Sequence, residues 1–307
     1  MALRLFALSW RVVRKTRIGE TQLKRVAGTG ESSLSSICCG GIKVACNKGG
    51  LFMSVIEDYY KTMDEVRSEY ARKYADKPYI YNDGVLRPDL YFVSDKPKIV
   101  MLLKEGIDNW SLIDKIENTK EDNYHVEFDR KNSSKSWASN IIKPVYYVQN
   151  KQWLNNTRNH SVTGFAYINI KKVAEWNPNS DDDDLDGYVK NDKDLLYKEI
   201  TACVPDIVFC CQGKKDRRLD SPQLIRLEKI LGTKRERIDD ISFAYKFSYQ
   251  VNGRENKLIA VNWSHPSRSV LKNVEMHQRL EQLVPVIEET VRNNNLPRVC
   301  SEETDTI

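Results

Sequence analysis

Long apolar runs are missing from this 307-residue chain. A membrane-spanning helix needs about 18–20 consecutive apolar residues, and even the first 13 residues are broken by Arg4 and Arg11. The body is therefore expected to be soluble, with no membrane partner. Metal-ligand spacing is missing too: the seven cysteines, at positions 38, 39, 46, 203, 210, 211 and 300, form no C-x-x-C pair and no zinc or iron-sulfur pattern. No metal and no other cofactor is expected. Cys203, Cys210 and Cys211 lie in apolar text and read as reduced core residues of an intracellular protein. A phosphate-binding P-loop is also absent, because Gln212-Gly213-Lys214-Lys215 lacks both the earlier Gly and the closing Ser/Thr.

A large excess of charge is lacking as well, since the formal net charge is only +5. That excess is uneven: residues 1–55 hold nine Lys/Arg against two Asp/Glu, leaving 39 against 41 in residues 56–307. Net charge thus says little about nucleic acid. A local patch is enough for a DNA binder, however, and Lys171-Lys172, Lys214-Lys215 with Arg217-Arg218, and Lys234-Arg235 with Arg237 are clusters of that kind. Taken singly, each reads first as a solvated face.

Residues 1–52 are Arg-rich, Ser/Thr/Gly-rich and poor in acids, and are expected to be a disordered extension outside the core. Two readings fit this composition: a mitochondrial presequence, or text upstream of a true start at Met53. Localisation is accordingly cytoplasmic or nuclear, or mitochondrial if the presequence is genuine. One domain is expected over residues 53–296, followed by a flexible tail over 297–307. Ser54 with Glu57 has the spacing of a capping box and predicts a helix from about Ser54 to Tyr74.

Four apolar runs of strand length follow: Lys98–Leu103, Phe165–Ile170, Asp206–Cys211 and Lys257–Asn262. Their near-continuous apolarity is that of strands buried on both faces, which predicts a parallel sheet. Helical patterns around Trp137–Val148, Lys193–Ala202, Ser221–Leu231 and Val270–Asn293 alternate with them. The expected fold class is therefore α/β, a three-layer αβα sandwich with right-handed crossovers around a mainly parallel four-stranded sheet. The run Ile241–Gln250, followed by Asn252-Gly253, predicts one further strand turning antiparallel into the last.

Ligands of such sheets sit beyond the carboxyl ends of the strands. Here those ends read Lys104-Glu105-Gly106-Ile107-Asp108-Asn109, Asn169 to Lys172, Gln212-Gly213-Lys214, and Ser264-His265-Pro266-Ser267-Arg268. In this order they resemble the uracil-DNA glycosylase superfamily over about residues 97–285. Glu105 with Gly106 resembles the Glu-Ala-Pro-Gly type of first motif. Asn169 with Lys171 or Lys172 resembles the Thr-Asn-x-x-Lys type of strand end, and His265-Pro266-Ser267 matches the last motif literally. The first motif lacks its usual Pro-Gly pair, and Arg268 stands where many members continue with Pro-Leu-Ser, which marks a divergent branch.

The resemblance implies a DNA partner, base flipping and hydrolysis of the N-glycosidic bond of uracil or another damaged or modified base. Glu105 or Asp108 would position a water and face the cationic sugar, and His265 would donate to the pyrimidine oxygen. Asn169 would read the base edge, with Trp110, Phe128 or Trp137 stacking on the base. Lys171, Lys172, Lys214, Ser264, Ser267 and Arg268 would contact phosphates or DNA. A monomer is expected. The alternative is a non-catalytic module of the same fold that binds a base, nucleotide or modified nucleic acid. Ordinary readings exist for each residue: Glu105 as a helix cap, Asp108 as a turn residue, Asn169 and His265 as structural hydrogen-bonding groups. His125, His160 and His277 read as surface residues.

Asp182, Asp184 and Asp186 with Gly187 match the first half of an EF-hand loop, but Lys193 stands where the bidentate Glu is required. The acidic run is therefore expected to be a solvated insertion.

Overall fold

The computed structural model describes residues 37–39, 42–44, 48–77, 80–105, 137–154, 164–173, 182–212, 221–264 and 273–295. The chain divides into two compact units, Met1–Gly49 and Gly50–Ile307. In the first, β1 (Ile37–Cys39) and β2 (Ile42–Val44) pair antiparallel, with Ile37 opposite Val44 and Cys39 opposite Ile42.

The second unit is built on β3 (Gly84–Val85), β4 (Ile99–Glu105), β5 (Phe165–Lys171), β6 (Ile207–Gln212), β7 (Glu236–Ile238), β8 (Ile241–Val251) and β9 (Arg254–Ser264). Its helices are α1 (Lys48–Lys73), α2 (Pro88–Tyr91), α3 (Trp137–Asn150), α4 (Asp182–Ala202), α5 (Pro222–Leu231) and α6 (Asn273–Asn295). The class is α/β.

The sheet has seven strands in the order β3-β5-β4-β6-β9-β8-β7, not the four expected from the apolar runs. Those four runs are its parallel centre, β5-β4-β6-β9. The difference has a simple cause. Only strands buried on both faces show as continuous apolar text, whereas β3 has two residues and β7 three, too short for any pattern. The hairpin from β8 into β9 forms as its turn chemistry predicts: Asn252 and Gly253 take φ of 50° and 74°, the pair of positive values that a tight two-residue hairpin requires.

Alternation along the central strands sends side chains to two cores. Ile99, Met101 and Leu103 face the helices α3 and α6, meeting Ile141, Val145, Leu280 and Leu283. Val100, Leu102, Ile168 and Ile170 face the other way, onto Met63 of α1, Leu196 and Ile200 of α4 and Leu227 of α5. Each of these side chains is buried, and at about 25 cal/mol per Å² of apolar surface this double layer is the main source of stability. Cys203, Cys210 and Cys211 are free and buried within it.

Two local expectations are corrected. Helix α1 starts at Lys48, so Ser54 and Glu57 lie inside the helix and do not cap it. Leu51-Phe52-Met53 are apolar and tolerated in a helix, which lets it extend past a purely local signal. The acidic run is the first turns of α4 rather than an insertion. Asp186 pairs with Arg226 at 2.7 Å and Lys229 at 3.1 Å, and Asp184 with Lys171 at 3.1 Å. Carboxylates at a helix start are favoured by the helix dipole, and here they also receive cations from β5 and α5.

Among the described residues, no helix is long and apolar enough to cross a membrane.

Candidate functional site at the strand ends

The four parallel strands finish on one side of the sheet. Glu105 and Lys171 are Cα partners at the ends of β4 and β5, and Gln212 and Ser264 are partners at the ends of β6 and β9. Asn169 lies two residues inside the end of β5, in register with Leu103. The strand pairing thus brings Glu105, Asn169, Lys171 and Ser264 to one end of the sheet. Trp137 is the first residue of α3. Asp108, Trp110, Phe128, Lys214, His265, Ser267 and Arg268 lie outside the described residues, as do the side chains of Glu105 and Trp137.

Around Asn169 stands a polar network that the strand-end motifs do not announce. Its centre is Asp83, just before the edge strand β3. Asp83 Oδ2 accepts the backbone N–H of Asn169 at 2.6 Å, and Oδ1 accepts from Asn169 Nδ2 at 3.0 Å. The same carboxylate accepts from Lys172 Nζ at 2.7 Å. Lys172 Nζ also lies 2.6 Å from Glu199 Oε2 on α4 and 5.6 Å from the centre of the Tyr70 ring on α1. All four groups are buried: Asp83 is 2% exposed, Asn169 1%, Lys172 0% and Glu199 2%.

Local sequence fixes where Asp83 sits. Gly84 has φ +131°, a conformation that L side chains rarely adopt, and a Cβ there would stand 2.5 Å from the Tyr59 hydroxyl oxygen. That hydroxyl accepts from Val85 N–H at 2.7 Å, tying β3 to α1. Arg67 of α1 donates to the Asp83 carbonyl at 3.4 Å, and Tyr81 N–H donates to the Lys172 carbonyl at 2.8 Å. Residues 80–85 are thereby laced to both α1 and the end of β5.

The electrostatics follow from one ammonium facing two carboxylates out of water. Burial alone would lower the Lys172 pKa, but Asp83 and Glu199 together hold it above the ordinary lysine value. Burial pushes Glu199 up to about 7, against the pull of Lys172. Near neutrality Glu199 therefore takes up a proton readily, while the Lys172 ammonium is held charged.

Two residues assigned to phosphate contact are corrected here. The Lys172 ammonium is wholly enclosed between Asp83 and Glu199. Lys171 is 1% exposed, with its ammonium 3.1 Å from Asp184 and 5.4 Å from the Tyr188 ring centre. An isolated cation in a low-dielectric interior is costly, so carboxylates from α4 and from the segment before β3 draw both ammonium groups inward. Ser264, at the end of β9, is half-buried. His277 is not a plain surface residue either, since its ring lies 5.0 Å from that of Trp153, interplanar angle 29°.

One valence of Asn169 is left over. Among the described residues, its Oδ1 has no hydrogen-bond partner although it is buried. Its orientation is not arbitrary, because an ionised carboxylate can only accept, and so the NH₂ end must face Asp83. What points away is the acceptor Oδ1, with one remaining N–H beside it. Sequence reading missed Asp83 and Glu199. Asn82-Asp83-Gly84 is indistinguishable from a turn by composition, and Glu199 is one acid among several on α4. Among the described residues, no group of three or more His, Cys, Asp or Glu is arranged to hold a metal ion.

Comparison with protein-family models gives no match for this chain, and comparison with curated proteins gives none either.

Proposed function

We propose that this protein is a DNA glycosylase of the uracil-DNA glycosylase type, a three-layer αβα sandwich that hydrolyses the N-glycosidic bond of uracil or another damaged or modified base. The observation that carries the reading is the Asn169 amide, held by Asp83 with its carbonyl oxygen unpartnered among the described residues, at the carboxyl ends of parallel strands, where ligands of such sheets sit. A buried, unpartnered acceptor beside a donor suits the edge of a flipped base, which offers hydrogen-bonding groups of its own. Supporting it are the order of the four parallel strands' terminal residues and the Ser264-His265-Pro266-Ser267 run that leaves β9.

In this reading the bond between C1′ and the base nitrogen breaks as a water oxygen bonds to C1′, and the water's proton is lost to a carboxylate. The electron pair of the broken bond leaves with the base. Glu105 or Asp108 orients that water and faces the cationic sugar, while His265 donates to the base oxygen on which charge accumulates. Trp110, Phe128 or Trp137 stacks on the base, and Lys214, Ser264, Ser267 and Arg268 hold the flanking phosphates. Lys171 and Lys172 have no part in phosphate contact.

The test is incubation of the full chain with oligonucleotides carrying single uracil, hypoxanthine or oxidised pyrimidines, followed by alkaline cleavage at abasic sites. Strand breaks that vanish in Glu105→Gln and His265→Ala support the reading. No breaks with any of these bases would sink the catalytic form.

A second reading, a non-catalytic module that binds a base or modified nucleic acid, has its own observation. Both carboxylates of the Asn169 network are engaged by Lys172, so that network reads a base without activating water. Binding of the same oligonucleotides without abasic product supports it.

A further inference from the structure

We infer that Asp83 is the positioning residue that decides which hydrogen-bonding pattern Asn169 presents, an inference that rests on the reading of Asn169 as the base-edge reader. The two ends of an asparagine amide are nearly equal in size, and strand geometry alone does not choose between them. Here one carboxylate spans both nitrogens of the same residue, taking the backbone N–H on Oδ2 at 2.6 Å and Nδ2 on Oδ1 at 3.0 Å. Turning the amide over would set Asn169 Oδ1 against Asp83 Oδ1, two acceptors abutting out of water.

The lock depends on Asp83 remaining an anion in a fixed place. Lys172, 2.7 Å away and itself buried, supplies the opposing charge. The backbone clamp at Gly84 and the Arg67 contact to the Asp83 carbonyl supply the place. With one N–H committed to Asp83, the amide offers an acceptor and one donor in a single order. That order complements a ring N–H beside a carbonyl, and it opposes a ring nitrogen beside an amino group. A pyrimidine of the uracil pattern is thus favoured over one of the cytosine pattern by a residue that touches neither.

The test uses the full chain in two measurements. With asparagine labelled by ¹⁵N, the Asn169 side-chain signals are identified by their loss in Asn169→Ser. One Nδ2 proton is expected far downfield of the other and slow to exchange, and in Asp83→Asn that separation is expected to collapse. Two ordinary, fast-exchanging protons in the wild-type protein overturn the proposal, whatever the protein does with nucleic acid and whether or not the variant folds. The second measurement is the ratio of binding to single-stranded oligonucleotides that differ only in uracil or cytosine at one position. Asp83→Asn removes the acceptor-only carboxylate at nearly constant shape, so the ratio is expected to fall about tenfold. An unchanged ratio in a folded Asp83→Asn protein overturns the positioning role alone. A wild-type protein that distinguishes neither oligonucleotide overturns the base-reading, while the downfield proton still assigns Asp83 as the group that orients Asn169.

Discussion

The sheet carries an Asp–Asn pair at each end, and the two pairs are finished differently. At the amino ends of the strands, Asp206 accepts from Lys98 N–H at 2.8 Å and from Asn294 Nδ2 at 2.9 Å. Asn294 in turn donates to the Lys257 carbonyl at 2.9 Å and accepts the Lys257 N–H at 3.0 Å. Both ends of that amide are used, and the result is a clamp between α6, β9 and the start of β4. At the carboxyl ends, Asp83 holds Asn169 by its nitrogens and leaves its oxygen with nothing among the described residues. The same two residue types thus build a closed joint at one end and an open one at the other. Buried polar groups are almost always satisfied, and the open valence of Asn169 is the one that the proposed function uses.

The largest expected contrast comes from Asp83→Ala. It leaves the Lys172 ammonium with Glu199 as its one remaining carboxylate in this network and removes the acceptor of two Asn169 nitrogens in the core, and a loss of about 3–5 kcal/mol in urea unfolding is expected. A loss below about 1 kcal/mol would mean that the network opens to water. Gly84→Ala acts on the same joint through the backbone. The added methyl collides with Tyr59 and imposes a strained φ, so a cost of about 2 kcal/mol is expected from the same unfolding curves.

The Asn pair tests the comparison directly. Asn294→Ala is expected to cost about 1–2 kcal/mol while leaving oligonucleotide binding unchanged. Asn169→Ala is expected to weaken binding about tenfold or more at a smaller cost in stability, because Asp83 keeps Lys172 and the Asn169 backbone N–H. Reversed outcomes would assign the ligand to the other end of the sheet.

The subtlest contrast is in pH. Glu199 has a folded pKa of about 7 against an ordinary 4.5, so the folded protein keeps this proton after the unfolded chain has lost it. The resulting stability is present below pH 4.5 and drains away as pH rises through about 7. Unfolding of wild type and Glu199→Gln at pH 5 and pH 8 should therefore show the wild type losing ground to the variant at the higher pH. A constant difference would indicate that the Glu199 carboxyl stays ionised throughout.

Much of the scaffold was legible in the sequence for a physical reason. Strands buried on both faces must be apolar at every position, and the four central ones announce themselves in that way. The β8–β9 hairpin was legible because positive φ at two successive residues selects Asn-Gly. β3 and β7 were not, since two or three residues carry no periodicity. The start of α4 was misread because acids at a helix start look like solvated loop text when the cations that bind them, Arg226 and Lys171, lie 40 and 13 residues away. Asn169 stood out as the polar end of an apolar run, but its anchor did not. The pairing of Asp83 with Asn169 spans 86 residues and exists only once β3 lies antiparallel beside β5. Lys172 failed as a surface residue on the same ground, since its partners come from two other segments.

The shortness of β3 and β7 has a consequence beyond legibility. They are the outermost strands of the seven-stranded sheet, and every long, apolar strand is flanked by neighbours on both sides. β7 adds a register shift between Arg237 and Ile238 and exposed charges at Glu236 and Arg237. A foreign strand seeking to extend the sheet meets two or three residues at one margin and a bent, charged stub at the other, a poor template for self-association. The most continuously β-prone text, in β4, β6 and β9, thus lies inside the sheet rather than at its margins.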